Sequence, residues 1–149
     1  MMNETRVLLD GATGLHVAWY FWLRVLDEVN RSARYGAPFG LVLLEATDGD
    51  PRSAKRVQNA ASHVSAAVRS TDLAGLISPG RVGILLTEQD GESAGIAMRR
   101  VLERIGDTAA RVGGWRPTLL LYPNDGAEIS NLLTRGWTGT IPGDAAESA

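Results

Sequence analysis

The 149-residue chain contains no cysteine, which excludes disulfide staples, thiolate nucleophiles and any thiolate metal site. It has two histidines, His16 and His63. They lie far apart with no ligand spacing around either, so no zinc centre is expected. No apolar run is longer than residues 17–23, far short of a bilayer span. The opening MMNETRVLLD lacks the basic-then-apolar order of a secretory signal. Lys55 is the only lysine, yet 15 Lys and Arg nearly balance 17 Asp and Glu, for a formal net charge of -2. That balance argues against broad nucleic-acid binding. What is present, 44% hydrophobic and 21% charged residues, is ordinary globular usage at a length suited to one domain with a real core. The expectation is a cytoplasmic domain over 1–137 with a small, polar, loose tail over 138–149. No membrane insertion, cofactor or nucleic-acid partner is expected.

Hydrophobic period divides the chain into elements. Leu15, Trp19, Trp22, Leu26 and Val29 step by four and three and predict one apolar helix face, with Asp10 and Thr13 where a helix start wants a capping oxygen. Gly36 and Pro38 close that helix, and FGLVLLEA (Phe39–Ala46) reads as a buried strand. Ala54, Val57, Ala61, Val64 and Val68 predict a second helix. Two apolar runs, 73–77 and 82–86, flank Ser78, Pro79 and Gly80 and predict a β-hairpin. Ala94, Ala97, Met98, Val101, Leu102 and Ile105 mark the inner face of a third helix. A strand over 118–122, a turn through Pro123 and Gly126, and a short helix bearing Ile129, Leu132 and Leu133 complete the order. The result is an α+β fold with a ferredoxin-like βαββαβ core, its mostly antiparallel central sheet flanked by helices.

These residues resemble a known family, the GGDEF domain with its nucleotidyl-cyclase-like fold, which is the bacterial diguanylate cyclase domain. Asp10, Gly11, Ala12, Thr13, Gly14 and Leu15 resemble its D-x-L-T-G-L. Arg34, Tyr35, Gly36, Ala37 and Pro38, followed by LVLLEAT, resemble the turn and strand that lead to its D-x-D. Arg69, Ser70, Thr71 and Asp72 resemble the R-x-x-D before its signature hairpin, and VGILLTEQDGESA resembles the strand and helix start after it. The likeness runs from about residue 5 to 136. The signature itself is missing: Ser78, Pro79, Gly80, Arg81 and Val82 stand in its place.

Joining two GTP molecules requires metal ions held by hard carboxylates. In the family the hairpin acid and the first acid of D-x-D supply them. Here Arg81 replaces the hairpin acid, and Glu45 and Thr47 occupy the D-x-D positions. The segment between Glu45 and Arg69 is shorter than the family's and lacks its guanine-holding residues. No late phosphate-binding lysine is present, and Leu119, Leu120 and Leu121 replace its polar S-x-G. The resemblance therefore implies a degenerate, catalytically inactive regulatory domain with no catalytic residues and no metal. Glu45 is expected to be solvated or paired with Arg81.

Two functions stay open. In the family, R-x-x-D binds the product cyclic di-GMP, so Arg69 and Asp72 are the implied ligand site, the guanidinium reading guanine or phosphate and the carboxylate accepting from guanine N–H. Arg52, Arg56, Arg81 or Arg99 would give a secondary contact. Alternatively Arg69 and Asp72 form only a local salt bridge or cap. The second function is a protein-interaction or homodimerisation surface built from Trp19, Tyr20, Phe21 and Trp22. Four adjacent rings cover every direction around a helix, so some must point outward. Trp137 either extends that patch or covers the core edge.

Overall fold

A computed structural model of the chain describes residues 8–107 and 114–137; the expected tail over 138–149 lies outside them. The elements are β1 (His16–Val17), α1 (Ala18–Tyr35), β2 (Phe39–Ala46), α2 (Arg52–Ala67), β3 (Leu73–Ser78), β4 (Arg81–Leu86), α3 (Gly91–Asp107), β5 (Trp115–Tyr122) and α4 (Gly126–Arg135). They form one sheet in the order β1-β3-β4-β2-β5, in which only β1 runs parallel to its neighbour. From β2 to β5 this is the βαββαβ plan expected from the pattern. Among the described residues no helix is long and apolar enough to cross a membrane.

The central strand β2 is apolar at nearly every position because both faces of the sheet are covered. Val42 and Leu44, with Ile84 and Leu86 of β4, meet α2 and α3 on one face. Phe39, Leu41 and Leu43, with Leu85, meet α1 and α4 on the other. The inner residues of α2 and α3 are close to those read from the period: Val57, Ala61 and Val64 on one, Ala94, Val101 and Ile105 on the other, all buried.

Phe21, fully buried, docks α1 on a glycine window. Gly75 and Gly83 are paired directly across β3 and β4, and a Cβ built on either would lie 2.7 Å from Phe21. No other residue type leaves room for the ring there. The window decides which face of α1 turns inward, and it corrects the sequence reading. Phe21, Val25, Glu28 and Ser32 are the buried residues, whereas Trp19 and Leu26 are exposed. Phe21 is thus core and no part of an outer surface. Burial of the two polar residues is offset by hydrogen bonds: Glu28 accepts from Arg31 at 3.1 Å, and the Ser32 hydroxyl donates to the Ala37 carbonyl.

The start of α1 is also corrected. Asp10 and Thr13 do not cap it; its first flanking residue, Val17, makes no side-chain cap. Asp10 instead accepts from the Thr13 N–H at 2.9 Å and hydroxyl at 2.8 Å, and the Thr13 hydroxyl accepts from Leu15 N–H at 3.1 Å. This knot closes a turn with Gly14 at φ 74°, a conformation that favours glycine. It aims Leu15 into the core and places His16, expected on a helix, in β1 opposite Gly75.

Phe21→Ala is expected to lower stability by about 3–5 kcal/mol, and Gly83→Ala by about 1–3 kcal/mol, in urea unfolding. In the Phe21→Ala background the Gly83→Ala penalty should shrink, because the atoms it meets belong to the far edge of the ring. The Gly75→Ala penalty should persist there, since Phe21 Cβ itself is its nearest neighbour.

Candidate functional site

Helix α2 stops where Asp72 takes over its backbone. Val68 leaves the helix in extended geometry, and Asp72 Oδ2 accepts from the Arg69 N–H at 3.1 Å and from Arg69 Nε at 3.3 Å. Asp72 Oδ1 accepts from Arg69 Nη2 at 3.2 Å and from the Thr87 N–H at 3.3 Å. The Asp72 side chain is 2% exposed and that of Arg69 50%. With four donors the carboxylate has spent its lone pairs on the protein itself. Its place in this geometry is to hold Arg69, rather than to present an acceptor to a ligand as the sequence suggested. Arg69 Nη2 also donates to the Thr87 carbonyl at 3.0 Å. Nε and Nη2 are then engaged, and both Nη1 hydrogens stay unspent among the described residues.

Arg69 lies on the rim of a groove of about 260 Å³ between the end of α2 and the face of α3, lined also by Asp72, Glu88, Gln89, Ser93, Ile96 and Arg100. Arg100 makes no ion pair among the described residues. Arg100 is therefore the second arginine on this groove. Of the four arginines suggested by sequence, none lines this groove: Arg56 is bound to Asp48 at 2.9 Å, and Arg81 to Glu45. Arg100 follows Arg99 immediately, and only the phase of α3 against α2 separates them. At the mouth, Glu88 pairs with Arg31 at 2.8 Å. That hydrogen bond holds the Glu88 carboxyl below the usual carboxylate range. The Ser93 N–H and hydroxyl do the same for Asp90, at the start of α3.

The hairpin corner, at the other end of β3 and β4, carries a different arrangement. Glu45 of β2 is paired across the sheet with Arg81 on one side and Arg116 on the other. Arg81 Nε and Nη2 donate to Glu45 Oε2 at 3.2 and 3.0 Å, and Arg116 Nη1 lies 3.7 Å from Oε1. Arg81 Nη1 donates to the Trp137 carbonyl at 2.7 Å, and its guanidinium lies 4.7 Å from the centre of the Trp137 ring. Trp137 is buried and covers the core edge. The expected pairing of Glu45 with Arg81 is present. Among the described residues no three His, Asp or Glu side chains gather where they would hold a metal ion.

Of the aromatic run, Trp19 is 58% exposed, while Tyr20 and Trp22 are half-buried. Leu23 and Leu26 extend the exposed apolar strip along α1. His16 stacks on Tyr20 at 5.3 Å, and His63 sits half-buried on α2.

No family model matches the sequence, and no curated protein does. Solved structures are similar. The diguanylate cyclase SiaD from Pseudomonas aeruginosa, solved with its activator SiaC, gives a TM-score of 0.71 at 20% identity over 99% of this chain. The match covers 61% of the SiaD chain, so this chain spans about three-fifths of that protein's length. A sensory box/GGDEF family protein from Caulobacter crescentus gives 0.71 at 17% identity, covering 95% of this chain and 99% of that one. The coiled-coil and GGDEF domain of DgcB from Caulobacter crescentus, solved with cyclic di-GMP, gives 0.66 at 11% identity over 89% of this chain and 82% of that one. The chain has the fold of the GGDEF diguanylate cyclase domain.

Asp72→Ala strips a partner from the Arg69 and Thr87 N–H groups and is expected to lower stability by about 2–3 kcal/mol in urea unfolding. Arg69→Ala should remove about 1 kcal/mol or less, because its half-exposed guanidinium is well screened. Both Glu88 and Asp90 have folded-state values below their unfolded ones. What they contribute is therefore present above the ordinary carboxylate range and is lost as pH falls through it. The thermal midpoint of Glu88→Gln should consequently fall less steeply than wild type between about pH 5 and 3.

Proposed function

We propose that this domain is a receptor for cyclic di-GMP and has no cyclase activity, with Arg69 and Arg100 as its ligand-holding cations and Asp72 as the group that positions Arg69. The observation that carries this reading is the Nη1 edge of Arg69, unspent among the described residues, on a groove shared with Arg100, which makes no ion pair among them. A guanidinium can donate to guanine O6 and N7 or to a phosphate, and can stack on a base. The apolar floor of Val68, Leu86 and Val101 suits a flat ring. The complex of DgcB with cyclic di-GMP shows that a domain of this fold can bind the compound. Such a receptor would work in the cytoplasm.

Loss of catalysis rests on the hairpin corner. Metal-assisted attack on an α-phosphate needs carboxylates free to hold metal ions. Glu45 is flanked by two arginines, and a divalent ion there would meet their positive charge at close range.

A second reading has its own observation. Trp19, Leu23 and Leu26 form an exposed apolar strip on α1, the kind of surface that anchors a partner protein or a second copy.

Calorimetric titration of cyclic di-GMP into the full chain is expected to show micromolar or tighter binding, at least ~8 kcal/mol. Arg69→Ala and Arg100→Ala should each weaken it about tenfold or more. Incubation with GTP and Mg²⁺ or Mn²⁺ should give no cyclic di-GMP, and measurable conversion overturns the inactive assignment. No heat at millimolar ligand, together with self-association in light scattering that Trp19→Ser reduces, would favour the second reading.

A further inference from the structure

We infer that Gln89 is the acceptor that reads the ring N–H donors of the purine in the Arg69 groove, the task that Asp72 is placed to do by motif but not by geometry. This deepens the cyclic di-GMP reading and rests on it. A guanine edge offers donors at N1 and N2 that must find acceptors once buried. Arg69 and Arg100 are donors only. Asp72 already accepts four bonds from the protein itself. For a ligand to use it, the Arg69 or Thr87 N–H would have to lose its partner.

Three other polar side chains line the groove. The Glu88 carboxylate is 63% exposed and is committed to Arg31. The Ser93 hydroxyl is tied to Asp90, donating to Oδ1 at 3.0 Å. Gln89 differs from both: the residue is 7% exposed, and its Oε1 is buried without a hydrogen-bond partner among the described residues. A buried acceptor left unpaired opposes folding and calls for an explanation.

The backbone supplies one. Glu88 adopts φ 53°, the single positive-φ non-glycine among the described residues, a conformation uncommon outside glycine. The Gln89 N–H then donates to the Pro38 carbonyl at 3.2 Å. The chain is thus bent at Glu88 and pinned at Gln89, which lines the groove beside the apolar Leu86, Ala97 and Val101. The terminal torsion of a glutamine is soft, so the amide can swing its oxygen to a donor arriving in the groove. An acceptor that is unpaired in the free protein and paired in the complex exchanges stability for binding.

The test compares wild type, Gln89→Leu and Gln89→Glu as full-length chains, by calorimetric titration with cyclic di-GMP and by thermal unfolding without ligand. Gln89→Leu, of similar volume and apolar, is expected to unfold at an equal or higher temperature than wild type while binding cyclic di-GMP about tenfold or more weakly. Gln89→Glu keeps two acceptor oxygens and should bind more tightly than Gln89→Leu. A residue of purely structural importance would show the opposite sign in the ligand-free unfolding. Wild-type affinity in a folded Gln89→Leu overturns the inference and leaves the receptor reading standing. Absence of binding by wild type overturns that reading, and the role of Gln89 with it.

Discussion

The carboxylate of Asp72 is the constraint on which the site depends. It is buried, and its two oxygens are shared by the guanidinium and backbone of Arg69 and the backbone of Thr87. These groups belong to the chain leaving α2 and the chain leaving β4, so one side chain ties a helix end to the open end of the hairpin. The desolvation of a charged acid is large and is repaid only with complete hydrogen bonding, which is the case here. Arg69 consequently keeps a fixed orientation despite being half exposed. The hairpin is tied again at its turn, where Glu45 and Arg81 meet across β2 and β4. With six residues in β4, the two pairs stand roughly 20 Å apart. They use the same chemistry for different ends: one presents a cation to a groove, and the other ties the hairpin turn to the central strand.

Strands β2 to β5 were legible as short apolar runs and helices α2 and α3 by their clear helical period. The seal of α2 and α3 on one face follows directly from Val57, Ala61, Val64, Ala94, Val101 and Ile105. Helix α1 was not legible in the same way. Its aromatic run gives apolar residues in every direction, so period alone cannot choose a face. The choice is made 54 positions on from Phe21, at Gly75, and at the glycine paired with it across the hairpin. A non-local vacancy of this kind leaves no mark on the helix's own sequence. The two-residue strand β1 is too short to show alternation, and the Asp10 and Thr13 oxygens serve a turn as readily as a helix cap.

The candidate site divides along the same line. Arg69 and Asp72 are three residues apart, and their contact is local, so a motif could reveal them. Arg100 and Gln89 enter the groove through the packing of α3 against α2 and the bend at Glu88. Both depend on angles between elements, which one sequence does not print. The aromatic helix is an intermediate case: the excess of rings announced that some must be exposed, but which ones awaited the glycine window. Trp19 then emerges with Leu23 and Leu26 rather than with Phe21.

The position of Arg81 has a consequence for mutational history. Its guanidinium holds Glu45, the Trp137 carbonyl and the face of the Trp137 ring together, so the hairpin corner and the end of the described chain share one residue. Exchanging it for an acid alone would set two carboxylates at paired positions of neighbouring strands, an unfavourable cross-strand contact, and would remove the Arg81 contacts to Trp137 at the same step. A single exchange at Arg81 is therefore expected to lower stability unless Glu45 changes with it. The corner is in this sense epistatic: the effect of an exchange at Glu45 or Arg81 depends on which residue stands at the other.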